Sequence, residues 1–241
     1  MITLRTADAA GLRWAQAQVT AHHYLRKPVD SRCRPFAYLV EYEYQDGAGA
    51  AAGPRIVGVL IFGRPEATRC YDGALTYGSL RDVQAGRARF DRWEVINLAR
   101  VWFNPVVQPG GALYGAEHGL PGYVDRRGAW RSTLASTTIQ QALARVGYDY
   151  LVQHPPCFPD EPYELKVCLS YCDTTKHRGT IYRAAGFDLA RTNEHGIQTW
   201  FAAAHALSTY ERAMVEKRAG QSWRSRRYRS QRAVLERQEQ F

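Results

Sequence analysis

No run of 18 or more apolar residues occurs in this 241-residue chain, so no segment reads as a membrane-spanning helix. The opening MITLRTADAAGL has no apolar signal core, and a cytoplasmic location is expected. No internal repeat stands out, which argues against a solenoid or a propeller. Cysteine is scarce. The five, at 33, 70, 157, 168 and 172, are odd in number and irregularly spaced, so no disulfide framework is expected. Cys168-x-x-x-Cys172 has the look of a metal half-site, but both residues fall in an apolar run, where free cysteine behaves as a small hydrophobe. Acids are outnumbered: 23 Asp and Glu stand against 32 Lys and Arg, for a formal net charge of +9. That balance favours an anionic partner, nucleic acid first and a membrane surface second.

What is present is enough for a packed domain. Hydrophobic residues make up 45% of the chain, and its length fits one domain with decoration or a domain plus a tail. The most informative stretch runs from Cys168 to Phe187, CLSYCDTTKHRGTIYRAAGF. Val167 to Cys172 reads as a buried strand, closed by Asp173 and the turn residues Thr174 and Thr175. Tyr182, Ala185 and Gly186 then recur at helical spacing, with Gly186 placed to end the helix. Asp173, His177, Arg178 and Tyr182 therefore gather at the carboxyl end of a strand, where open α/β sheets bind ligands.

Earlier in the chain, Ile2–Arg5 reads as a strand and Ala9–His22 as a helix carrying His22, His23 and Tyr24 at its end. Position alone makes His23 either a cation on the helix dipole or a site residue. Phe36–Tyr44 and Arg55–Phe62 read as a hairpin joined by a flexible glycine-alanine connector, 47–54. Trp93–Phe103 reads as a core strand in which Glu94, Asn97 and Arg100 need polar partners. A buried arginine is costly unless it meets an anion or an acid, and Glu94 and Asp173 are the candidate acids for Arg100. Residues 131–148 read as a helix with a Ser/Thr-rich start and a stop at Gly147; Tyr150–His154 reads as a strand, and Gly196–Phe201 as the last one.

Insertions are expected at about 64–92 and 104–128, and a polar basic tail over 207–241. The first insertion holds Arg64, Arg69, Arg81, Arg87, Arg89 and Arg92 with Tyr71 and Tyr77 among them, a composition suited to phosphates and bases or to a solvated loop. In the tail, Arg224, Arg226, Arg227 and Arg229 beside Trp223 and Tyr228 suit sequence-independent phosphate binding on a helical or disordered arm.

Three pieces in order, AHHY followed by the GVLIFG strand, INLARVW, and SYCDTTKHRGTIYRAAGF, resemble the acetyltransferase-like GNAT fold and most closely its phage Mom-type branch, over roughly residues 15–205. The resemblance implies an α/β (α+β) fold, with a central mixed, twisted sheet flanked by helices over residues 1–206. It implies a transferase that places a carbamoylmethyl-type, acyl-derived group on the exocyclic amine of adenine in DNA, protecting phage DNA from restriction. It further implies acetyl-CoA or a related acyl donor and allows a bound iron. By residue-wise match, His23, Tyr24, Arg100, Ser132 and Asp173 would be catalytic, with His23, Tyr24 and Asp173 as the metal set. Tyr182, His177 and Arg178 would bind substrate. Partners would be double-stranded DNA, the donor and, left open, a second copy in a homodimer; no membrane is involved. The glycine loop with which most acetyltransferases cradle a pyrophosphate is missing before the 131–148 helix, a departure that Mom-like proteins share. Two alternatives stay open: a non-catalytic nucleic-acid-binding protein on this fold, and an N-acetyltransferase for another amine.

Overall fold

The computed structural model describes residues 1–45, 51–72, 74–156 and 164–221. Along the chain run β1 (Ile2–Thr6), α1 (Ala9–His22), β2 (Phe36–Gln45), β3 (Ala51–Gly63), β4 (Cys70–Asp72), β5 (Leu75–Gly78), α2 (Leu80–Gln84), β6 (Phe90–Asp91) and β7 (Val95–Phe103). There follow β8 (Gly122–Val124), β9 (Trp130–Ser132), α3 (Leu134–Leu143), α4 (Val146–Gln153), β10 (Val167–Asp173), α5 (Thr180–Ala184), β11 (Asp188–Thr192) and β12 (Ile197–Ala203). Residues 209–221 are helical.

A seven-stranded mixed sheet, ordered β1-β2-β3-β7-β10-β12-β11, carries the domain, so the chain is mixed α/β as its pattern implies. Strict alternation along β2 explains its two covers. Tyr38, Val40 and Tyr42 face one side, with Leu134, Ile139, Val146 and Tyr150 of α3 and α4. Ala37 and Leu39 face the other, with Ala15 and Val19 of α1. With both faces buried, β2 and β3 can be apolar throughout their paired centres. Helix α1 starts where Asp8 accepts the Gly11 N–H at 2.7 Å.

All neighbouring strands in this sheet are antiparallel except β7 and β10, which run parallel and pair only through Val95–Asn97 and Val167–Leu169. Beyond Asn97 the two strands part. Ser170 Oγ still reaches Leu98 O at 2.9 Å, and on the far side of β7 a bulge leaves Ala99 as the extra residue between the Ile61–Arg100 and Phe62–Leu98 pairs.

Several expectations need correction. Tyr150–His154 is not a strand: α4 runs through it, because Val146, Tyr150 and Leu151 bury one helical face and Arg145 pairs with Asp149 one turn on, at 3.1 Å. Gly147 lies inside α4 and ends nothing; a Cβ there would sit 2.6 Å from His205 O, so close packing against the chain after β12 is what needs glycine. Strand β3 begins at Ala51, inside the expected connector, and Arg92–Glu94 form a 3-10 turn ahead of β7. β11 is an additional strand. The helix at 209–221 is no loose arm: Ser208 and Glu211 cap its start reciprocally, Arg212 pairs with Glu164 at 2.8 Å, and Val215 sits in the main core. The packed domain therefore runs past residue 206. Arg224, Arg226, Arg227 and Arg229 lie outside the described residues, as does Cys157. Cys33, Cys70, Cys168 and Cys172 are buried, as small hydrophobes. Among the described residues, no helix is long and apolar enough to cross a membrane.

A half-buried histidine contributes to the dependence of stability on pH. His154 donates from Nε2 to Pro35 O at 3.2 Å, and burial with Arg34 nearby lowers its pKa from 6.5 to about 4. The folded state thus resists a proton that the unfolded chain takes up first. Stability is expected to be full above about pH 6.5 and to fall as pH drops toward 4. Urea unfolding midpoints across that window check this, and His154→Gln should flatten the dependence.

Candidate functional site

Where β7 and β10 part, a cavity of about 1170 Å³ opens. Several segments line it, among them the end of α1 (His22, His23, Tyr24), β7 from Asn97 to Phe103, Ser132, Leu134 and Ala135 at the start of α3, the end of β10 (Tyr171, Cys172), and the 176–182 turn into α5. Of the eight residues expected to be catalytic or substrate-binding, seven line this cavity: His23, Tyr24, Arg100, Ser132, His177, Arg178 and Tyr182.

Arg100 dominates the electrostatics. It is half-buried, and its guanidinium donates to Ala99 O at 2.7 Å and Lys27 O at 3.4 Å. Neither acid proposed for it binds it. Glu94 takes Lys166 at 2.5 Å, and Asp173 accepts the N–H and hydroxyl of Thr175 at 2.9 and 2.7 Å. Burial pulls the Arg100 pKa down, yet a guanidinium stays charged. Lys176 and Arg178 join it on the wall, where Glu66 is the single acid among the described residues. A cavity so charged suits an anion.

His23 closes α1 with its N–H on Val19 O, and its Nδ1 accepts the Leu25 N–H at 3.2 Å. Burial, Arg100 and His177 lower its pKa to about 4, so the ring is neutral at physiological pH with its proton on Nε2. It is a hydrogen-bond donor, not a base. Tyr24 stands beside it, ring centroids 4.3 Å apart, with 37% of its surface exposed and the His177 ring edge-on at 5.2 Å. Burial, then the charge of Asp173, raises the Tyr24 pKa.

Asp173 is placed differently from expectation. It is the one member of the set that does not line the cavity. Its carboxyl holds the turn after β10 through Thr175, and its carbonyl accepts the Lys176 and His177 N–H groups at 3.1 and 2.9 Å. The two bonds from Thr175 to the carboxyl depress its pKa, which makes it a weaker base. It aims Lys176 and His177 into the cavity. The His177 ring makes no hydrogen bond among the described residues, so its nitrogens are available. Tyr182 is buried against Phe187 and Trp200, its pKa pushed up to about 12 by burial, and it lines the cavity as part of its wall. Ser132 accepts the Leu134 N–H at 3.1 Å and donates to Pro121 O at 3.3 Å, serving the start of α3 and the cavity at once.

The metal set implied by the resemblance does not assemble well. His23 already spends Nδ1 on Leu25, its Nε2 carries the proton, and the Tyr24 phenol is held protonated. Among the described residues no group of three or more His, Cys, Asp or Glu could hold a metal ion, and the cavity wall is cationic.

The first insertion supplies fewer free cations than its composition suggests. A three-stranded sheet, β4-β5-β6, folds against α2, where Asp82 takes Arg87 at 2.8 Å and Arg69 at 3.8 Å. Arg64 is buried, donating to Trp93 O, and Tyr77 is wholly buried. Arg81 and Arg89 stay exposed, the latter over Phe90; the guanidinium of Arg92 lies 4.4 Å over Trp93.

Asn97 is a residue the site reading missed. It lines the cavity at the fork of the sheet, and its Oδ1 is buried with no hydrogen-bond partner among the described residues. A polar residue interrupting an apolar strand was the signal, since buried polar groups need partners and the strand pairing offers Asn97 none.

No protein-family model matches the chain, and no curated protein does. A solved structure described as a domain from Methanocaldococcus jannaschii DSM 2661 is similar over 84% of this chain and 98% of its own, at 7% identity and a TM-score of 0.37.

Proposed function

We propose that the chain is a Mom-like DNA base modification enzyme on a GNAT-like fold, transferring a carbamoylmethyl-type, acyl-derived group to the exocyclic amine of adenine. The observation that carries this reading is the gathering of His23, Tyr24, Arg100, Ser132, His177 and Arg178 from four segments around one cavity. Support for the fold comes from the parallel β7–β10 pair that opens into that cavity.

In this reading the cavity takes an acyl donor bearing an anionic group, bound to Arg100. The Nε2–H of His23 and the Arg100 guanidinium face the charge that develops on the donor. Tyr24, the exposed ring, receives the base once it has left the stack. An exocyclic adenine amine is a poor nucleophile because its lone pair is delocalised into the ring, so its proton needs an acceptor as the N–C bond forms. His177 takes that proton as the donor's leaving group departs. Asp173 acts through His177 as a positioning residue. No step is routed through a metal.

Mass spectrometry of nucleosides from DNA of cells expressing the protein tests the proposal: a deoxyadenosine of increased mass is expected. Unmodified nucleosides from a protein that binds DNA would favour the non-catalytic alternative.

Asn97 supplies a second check. Replacing it with leucine, of similar size, removes an unsatisfied buried acceptor, so stability should hold or rise by about 1 kcal/mol. Modification should fall, because the group that the substrate satisfies is gone. Denaturant unfolding beside nucleoside analysis separates the two effects.

A further inference from the structure

We propose that the β8–β9 hairpin enters duplex DNA beside the target base, with Tyr123 as the wedge and Arg126 and Arg127 on phosphates; this rests on the reading of DNA as substrate. The hairpin pairs Gly122 with Ser132, Tyr123 with Arg131 and Val124 with Trp130. Its tip is held in advance. Asp125 accepts the Arg127 and Ala129 N–H groups at 2.9 and 3.0 Å, and Gly128 turns the chain at φ 77°.

Charge and exposure then separate. Asp125, the only acid of the hairpin, takes Arg131 Nε at 2.9 Å, and this ion pair holds its carboxyl below the usual range. Arg126 and Arg127 are exposed and make no ion pair among the described residues. On the strands, Trp130 packs edge-to-face on Tyr114 at 4.9 Å, while Tyr123 and Val124 are left 57% and 64% exposed. Exposed apolar residues are ordinary taken singly. An aromatic and a β-branched residue on a stiff hairpin, one residue ahead of two arginines without an ion pair among the described residues, suit a surface that is anionic outside and stacked inside.

The root of the hairpin settles where such a ligand would lie. β9 ends at Ser132, which lines the cavity, and Pro121 O accepts from both Ser132 Oγ and Thr133 N, tying the two ends together. DNA held at the tip is therefore held next to the cavity. A base leaving a duplex leaves a gap in the stack, and proteins that kink or unstack DNA fill such gaps with inserted side chains. Three residues of strand span about 10 Å, comparable with the depth of a groove.

The test uses the full chain and duplex oligonucleotides in which 2-aminopurine, whose fluorescence rises on unstacking, replaces adenine. Binding of the wild type should raise the fluorescence. Tyr123→Ala should lose most of that rise while binding within about tenfold, and Tyr123→Phe should restore it, since the wedge needs only the ring. Replacing Arg126 and Arg127 together by alanine should flatten the log K against log salt slope by about 1–2. An undiminished rise in Tyr123→Ala with an unchanged slope in the arginine variant would overturn the hairpin's role, even if the wild type modifies DNA. Loss of phosphatidylserine-vesicle binding in these variants, with duplex binding intact, would overturn it in favour of a membrane surface. A wild type that neither binds nor modifies duplex DNA would overturn both this inference and the function it rests on.

Discussion

Arg100→Ala is expected to leave a folded protein that scarcely modifies DNA. The guanidinium is half-buried and held by two backbone carbonyls, with no carboxylate bound to it among the described residues. A buried cation without a counterion is costly to keep, so removing it should cost the fold little and can even stabilise it. In the proposed function its value lies in the anionic donor that the cavity would bind. Loss of one preorganised donor facing developing charge costs about 10²–10³ in rate. Arg100→Lys should recover little, because an ammonium cannot hold both carbonyls and a planar anionic group. Nucleoside analysis at matched protein levels, with unfolding midpoints beside it, would show this pattern; a midpoint collapse in Arg100→Ala would mean that the residue is structural.

His177→Gln is expected to lose about 10²–10⁴ in rate, the usual cost of removing a positioned proton acceptor. Glutamine keeps a polar group of similar reach but cannot take the proton. Asp173→Asn is the informative companion. Asparagine can still accept from Thr175 N through its amide oxygen, so the turn that carries His177 survives and the loss should be clearly smaller than for His177→Gln. The opposite order, with Asp173→Asn the more severe, would return the role of base to Asp173. Single-turnover modification of duplex substrate distinguishes the two directly.

The segments of the site were legible because each has a local signal. Helix α1, the 167–173 strand and the helix stopped by Gly186 follow from periodicity and caps, and all fall where expected. Helix α4 was not, because Tyr150-Leu151-Val152 is apolar at both strand and helix spacing and only Val146, Asp149 and Gly147 against His205 decide between them. The insertion's arginines read as free cations, since nothing local says that Asp82 will gather two of them and the core a third.

The sequence by itself determined the mixed α/β class, the basic balance and the short segments that carry His23, Arg100, Ser132 and His177, because these depend on residues close together in the chain. Only the tertiary structure decided their surroundings. Parting of β7 from β10 makes the cavity, Leu25 and burial make His23 a neutral donor, and Thr175 ties the Asp173 carboxyl into the turn after β10. A residue's chemistry depends on its solvent exposure and its hydrogen-bond partners, and here Lys27 for Arg100, and Arg100 and His177 for His23, lie more than 70 residues away in the chain.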